Sequence, residues 1–144
     1  YSLCFNLALL AFFTGQFRQS LKLINQILND GSLHQFSDIQ LVARLIQLII
    51  HVELENYDLV ETLGGNIYRS LLKRESTFRI EKLILKFFRK VPDMRNATAK
   101  IPFLQDLRRD LNEFLDDPVE GQFAQYFDFD MWLNRKSPSN PWPG

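Results

Sequence analysis

No charged side chain stands before Arg18, and one cysteine, Cys4, occurs in 144 residues. A lone cysteine excludes a disulfide framework and a cysteine-built metal cluster, and it fits a reducing compartment. Set in an apolar run, Cys4 reads as a packing residue, because a reactive thiolate needs an electropositive setting. Glycine and proline are sparse at six each, and they gather at turns and in the tail. No G-x-G-x-x-G, P-loop, G-x-S-x-G or H-E-x-x-H pattern occurs. A catalytic role is left only to a site dispersed along the sequence. The apolar stretch at residues 3–13 is shorter than the roughly 20 residues that span a bilayer. It also lacks the positive leader and small-residue cleavage site of a signal peptide. The start at Tyr1 rather than Met suggests a piece of a longer protein.

What is present is apolar and aromatic. Hydrophobic residues make up 46% of the protein and include thirteen Phe, which argues against disorder. The length fits one domain with a core of its own. Basic and acidic residues balance at 17 each, but the zero net charge hides a pattern. Residues 1–68 carry three basic and six acidic side chains, residues 69–100 ten and three, and residues 101–144 four and eight.

Residues 3–13 predict an apolar helix, and Phe17, Leu21, Ile24 and Leu28 recur at helical spacing on a second. Gly15 supplies the permissive backbone between them. A helix apolar all round must be covered on several sides. Ser37 with Gln40 reads as a capping box that opens a helix running to about residue 54. Leu41, Leu45, Leu48, Ile49 and Val52 form its inner face, widened by Val42, Ile46 and Ile50. The remaining stripe is polar: Gln40, Arg44, Gln47, His51 and Glu55. After a turn at 55–58, a further helix turns Val60, Leu63, Ile67 and Leu71 inward. Gly64 and Gly65 within it cost about 1 kcal/mol each against Ala. They mark a kink, a close helix contact or a ligand approach.

Ser76 predicts the start of a fifth helix over 77–91, apolar through Ile80, Leu83, Ile84, Phe87, Phe88 and Val91 and ended by Pro92. A connector follows, then a sixth helix near 102–116. It turns Phe103, Leu104, Leu107, Leu111, Phe114 and Leu115 inward and carries an acidic stripe of Asp106, Asp110, Glu113 and Asp117. Asp117 and Pro118 open a last helix with Phe123, Phe127 and Met131. The alternation over 127–131 makes a short strand the competing reading. Residues 135–144 predict a flexible tail.

Leu7, Ala8, Gly15, Phe17 and Ser20 stand at the spacing of a tetratricopeptide repeat (TPR), which the first helix pair resembles. Two features depart from the pattern. The aromatic usual in the middle of the first helix is displaced, with Ala11 followed by Phe12, and the closing proline is missing at Asn29-Asp30-Gly31. In a second unit Tyr57 takes the place of the turn aromatic and Glu55 that of the glycine. Arg44, Gln47 and His51 then fall where the family buries apolar residues, so either the helix is rotated or the turn has gained a residue. Ordinary helical hairpins are the alternative. The segments ENYDLVETL, IYRSLLKR, IEKLILKFFRK and QYFDFDMWL are similar to the C-terminal region of uncharacterised bacterial TPR-containing proteins. The resemblance covers most of residues 1–134. It implies stacked hairpins in a short right-handed solenoid that binds peptides or proteins in a groove, with no chemistry of its own. The family's carboxylate-clamping groove is not matched: only Asn6 fits it, and Phe5 and Leu9 fill neighbouring places.

Few residues invite chemistry. His51 and Glu55 share a helical face while Glu53 points away, leaving two ligands where a structural zinc needs four. His34 has no partner at motif spacing. Asp128 and Asp130 diverge on a helix and converge only on a strand, without a neighbouring acid–base set. The basic face of the fifth helix, Arg79, Lys82, Lys86, Arg89 and Lys90, is the most distinctive surface. It suits nucleic-acid phosphates, an acidic peptide or an anionic membrane surface. It suits equally well a solvated face, or pairing with the acidic stripe of the next helix. No aromatic residues interleave it, which weighs against nucleic acid.

The resulting expectation is an all-α domain of about seven helices over residues 1–134. Hairpins occupy 1–30 and 38–74, and C-terminal helices over 77–134 cap the solenoid. The expected role is a cytoplasmic, non-catalytic protein-interaction scaffold with no cofactor, metal or membrane partner. The alternative is a nucleic-acid or polyanion adaptor using the basic face of 77–91. Phe5, Leu9 and Phe12 are candidates for a groove, or for self-association through the N-terminal helix into a homo-oligomer.

Overall fold

The structure, a computed structural model, describes residues 2–32 and 38–71, together with 95, 96, 98, 102, 103, 105, 106, 109, 110, 113, 128, 131 and 132. Four helices are complete among them: α1 (Ser2–Phe13), α2 (Phe17–Leu28), α3 (Asp38–Glu53) and α4 (Tyr57–Leu71). No strand occurs among the described residues. Successive helices pack on one another, α1 on α2, α2 on α3 and α3 on α4.

The turn after α1 explains the first hairpin. Gly15 has φ 81°, the left-handed region open to glycine. There the Gln16 N–H donates to Ala11 O at 2.8 Å and the Gly15 N–H to Phe12 O at 3.1 Å, which closes the helix. The turn after α3 repeats this bond for bond. Asn56 N–H donates to His51 O at 2.8 Å and Glu55 N–H to Val52 O at 3.1 Å. Glu55 takes φ 60°, the left-handed place that Gly15 holds in the first turn. No residue has been gained in the second turn, and Phe17 and Tyr57 each follow at the same position.

Side chains set the spacing of α1 and α2. The Ser20 hydroxyl, fully buried, donates to Ala8 O at 2.8 Å, so two small residues meet between the helices. Cys4 Sγ lies 3.4 Å from Leu23 O further along the same seam, as antiparallel helices require. This contact rotates α2 from the expected face. Ser20, Ile24 and Ile27 are its buried residues, while Phe17, Leu21 and Leu28 are half-buried at the flanks. Phe12, fully buried, packs edge-on to Phe13 and Phe17 at 5.0 and 5.5 Å between ring centroids.

Helix α3 is the centre of the core. Leu41, Val42, Ala43, Leu45, Ile46, Leu48, Ile49, Ile50 and Val52 are all buried. A helix apolar on all but one stripe is stable only when covered nearly all round. Here α2 and α4 both pack on it. On α4, Val60 and Ile67 are buried and Leu63 is half-buried. The helix runs unbroken through the buried Gly64 and Gly65.

The C-terminal part joins this core through Phe103 and Trp132, both buried. Of residues 127–131, for which helix and strand are the two readings, only Asp128 and Met131 are described. Asp128 is not helical; its Oδ1 accepts the Met131 N–H at 2.9 Å, and its carbonyl the Trp132 N–H at 3.2 Å. Asp128 thus caps a helical turn, because a short carboxylate satisfies the free N–H groups there. Pro102 and residues 103, 105, 106, 109, 110 and 113 are helical, as the sixth helix requires. Arg95 and Thr98, expected in a connector, are helical too. The fifth helix over 77–91, the helix start at 117–120 and the tail over 135–144 lie outside the described residues.

Candidate interaction site along the third helix

The polar stripe of α3 faces the protein at its two ends. Gln40, 1% exposed, donates from Nε2 to Ile27 O at 2.6 Å and so ties α3 to the end of α2. Its capping-box partner Ser37 lies outside the described residues. Two turns on, Gln47 Nε2 donates to Asn25 Oδ1 at 3.0 Å. Arg44 lies between these two ties on the same stripe and is half-buried. Burial lowers its pKa from the ordinary guanidinium value. At the last turn His51 is buried, and its Nδ1 lies 3.3 Å from Asn56 Nδ2, a contact that an unprotonated Nδ1 accepts. Burial pulls the imidazole below its ordinary pKa. The stripe is therefore a line of internal hydrogen bonds with one cation among them.

The metal reading of His51, Glu53 and Glu55 loses its geometry. The third helix ends at Glu53, and Glu55 sits beyond it in the left-handed turn rather than one turn along the same face. Glu53 instead accepts the Trp132 indole N–H at 2.8 Å. No group of three or more His, Cys, Asp or Glu among the described residues is placed to hold a metal ion. His34 and Asp130 lie outside those residues, and Asp128 is engaged as a cap.

The candidates on α1 divide. Phe5 and Phe12 belong to the core, and Leu9 is half-buried against it. The outward apolar residues are Leu3, Leu7 and Leu10, exposed by 73, 44 and 62%. They share one side of the helix, at steps of four and three residues. The five cations of the basic face, Arg79, Lys82, Lys86, Arg89 and Lys90, lie outside the described residues. A neighbouring cation that is described, Arg95, pairs with Asp58 and lies 6.0 Å from the Tyr57 ring centroid. Both partners are well exposed, so salt screens the pair. Asp106 of the acidic stripe pairs with Arg109.

Two partners escaped the sequence reading. Asn25 looks like any polar residue of an exposed helix face, and Trp132 stands far from Glu53 in sequence. A signal for the second existed: Asp128 three residues before Met131 is a capping spacing, which aims the following Trp as part of a helix. No helix among the described residues is long and apolar enough to cross a membrane. No protein-family model matches this protein, and no curated protein or solved structure matches it significantly.

Proposed function

We propose that this protein is a non-catalytic protein-interaction scaffold built from TPR-like hairpins and working in the bacterial cytoplasm without a cofactor. The observation that carries the reading is the repeated turn. Gly15 and Glu55 stand forty residues apart, close their helices with the same pair of hydrogen bonds, and are each followed two residues later by an aromatic residue. The Ala8–Ser20 contact supports it, because two small residues at a helix crossing are what the resemblance implies. A stacked array of such hairpins offers an extended surface and no enclosed site, which suits binding a protein rather than transforming a small molecule.

The test is affinity capture of the full-length protein from its own cells, with and without nuclease, read by mass spectrometry. The expected result is a discrete protein partner that persists after nuclease. Loss of every partner on nuclease treatment overturns the scaffold reading and favours a polyanion adaptor using residues 77–91.

A further inference from the structure

The chain that leaves α2 holds the one Asp-Gly or Asn-Gly step in the sequence, Asp30-Gly31. Asn29 caps α2, and the Asp30 N–H still donates to Ile27 O at 3.2 Å. The Asp30 side chain then folds forward. Its Oδ1 accepts the Ser32 N–H at 2.9 Å and the Ser32 hydroxyl at 2.6 Å. This is the turn that an Asp side chain forms with the residue two places on. The ring it closes runs through the Gly31 nitrogen.

Nothing shields that nitrogen. Among the described residues no group accepts the Gly31 N–H. Gly31 is exposed, and a Cβ built on it would meet no atom within 4 Å. Nor does Gly31 take the left-handed φ of Gly15. Neither backbone nor space therefore requires a glycine here. What the missing side chain does is leave the peptide nitrogen open to the neighbouring carboxyl.

We propose that Asp30-Gly31 is a site of spontaneous backbone isomerisation through a succinimide, restrained by Ser32. The Gly31 nitrogen attacks Asp30 Cγ. The N–Cγ bond forms as the nitrogen's proton and the carboxyl OH leave as one water, closing a five-membered imide. Water then adds at either imide carbonyl. Addition at Cγ restores aspartate. Addition at the Asp30 main-chain carbonyl breaks its bond to the Gly31 nitrogen and leaves isoaspartate, with the backbone running through Cβ and Cγ. One water is lost and one regained, so neither mass nor oxidation state changes. The product carries a free α-carboxylate, the group that a carboxyl-methylating repair enzyme accepts. Ring closure needs the protonated carboxyl, because water is the leaving group. The Ser32 hydroxyl, and after it the Ser32 N–H, hold this carboxyl below its ordinary pKa, which favours the unreactive carboxylate.

The test ages the whole protein for weeks in warm, mildly acidic buffer. The peptide holding residue 30 is then read by chromatography with mass spectrometry. Wild type is expected to give a second peak of identical mass, and a transient one lighter by one water. The second peak should accept a methyl group from S-adenosylmethionine through an isoaspartyl carboxyl methyltransferase. Asp30→Glu, which could close only a six-membered ring, is expected to lose both peaks. Gly31→Ala places a Cβ beside the nitrogen in open space, so the fold is kept and the reaction is expected to slow severalfold. Ser32→Ala is expected to speed it severalfold. No isomer at residue 30 in wild type, or equal rates in wild type and Gly31→Ala, overturns the proposal. A rate in Ser32→Ala no higher than in wild type overturns the restraint assigned to Ser32.

Discussion

The indole N–H of Trp132 meets the Glu53 carboxylate at 2.8 Å, joining residues 79 apart in sequence. Trp132 is fully buried and belongs to the same core as Phe12 and Ile49. The bond thus fastens the C-terminal part of the protein to the last turn of α3, beside the turn that starts α4. A buried aromatic with its one polar atom satisfied contributes both area and direction.

Trp132→Phe keeps much of the apolar contact and leaves the Glu53 oxygen without its indole donor. The expected loss is about 1–3 kcal/mol, and Trp132→Ala is expected to cost about 3–5 kcal/mol. Glu53→Gln retains a carbonyl acceptor and should cost about 1 kcal/mol. Urea unfolding followed by circular dichroism measures all three. Equal stability of wild type and Trp132→Ala would remove Trp132 from the core.

The two turns predict opposite responses to glycine. Gly15→Ala places a Cβ in the left-handed region and should destabilise by about 1 kcal/mol. Glu55→Gly relieves that same conformation and should stabilise by about 0.5–1 kcal/mol, less the cost of a freer unfolded state. Thermal unfolding of the two variants checks the signs. Destabilisation by Glu55→Gly would show that the Glu55 side chain holds the turn.

His51 makes stability depend on pH. Its folded pKa is below the unfolded value of about 6.5 because the charged imidazole is desolvated. The unfolded state therefore binds the proton first, and stability rises with pH through this range. The contribution is fully present above about pH 7 and is lost as pH falls through 6.5 towards the folded pKa. Urea midpoints between pH 5 and 8 should slope upward in wild type and less so in His51→Gln. Identical slopes in the two proteins count against a buried neutral His51.

The seam of α1 and α2 leaves little room. Ser20→Ala keeps the close approach, loses one hydrogen bond and is expected to cost about 1 kcal/mol. Ser20→Leu forces the helices apart and should cost about 1–3 kcal/mol or more. Calorimetry on both variants separates a bond effect from a volume effect. A Ser20→Leu protein as stable as Ser20→Ala would deny the close contact.

Leu3, Leu7 and Leu10 offer an apolar side to solvent. Replacing all three with Gln should lower dye binding by the native protein and leave its urea midpoint nearly unchanged. If copies associate through α1, light scattering at high concentration should show a lower mass for this variant. A large loss of stability instead would place these leucines in the core.

Much of the helical order is legible in the sequence itself. Runs with a 3.6-residue period depend on local geometry, and Gly15 between two of them announces its turn. The inner faces of α3 and α4 could likewise be read from Leu45, Ile49, Val60 and Ile67, all of which are buried. The faces of α1 and α2 could not. An uncharged helix has no polar side to mark the outside, so nothing in Phe5, Leu7, Leu10 and Phe12 distinguishes those that are buried from those exposed. On α2 the hydroxyl of Ser20 won the central place from Leu21, because a small residue lets the backbones meet and its donor is satisfied by Ala8 O.

The sequence alone determined that this protein is built of helices and where its first turns fall, because periodicity and turn chemistry are properties of neighbouring residues. Only the tertiary structure decided what the polar stripe of α3 does. Gln40 reaches Ile27, Gln47 reaches Asn25, His51 is buried, and Arg44 is half-buried between the two glutamines on the same stripe. It also decided that Glu53 meets Trp132 rather than a metal. The reason is the same in each case. A hydrogen bond between distant residues depends on the angle and offset at which two helices pack, and those are set by contacts such as Ser20 on Ala8 that no local pattern encodes.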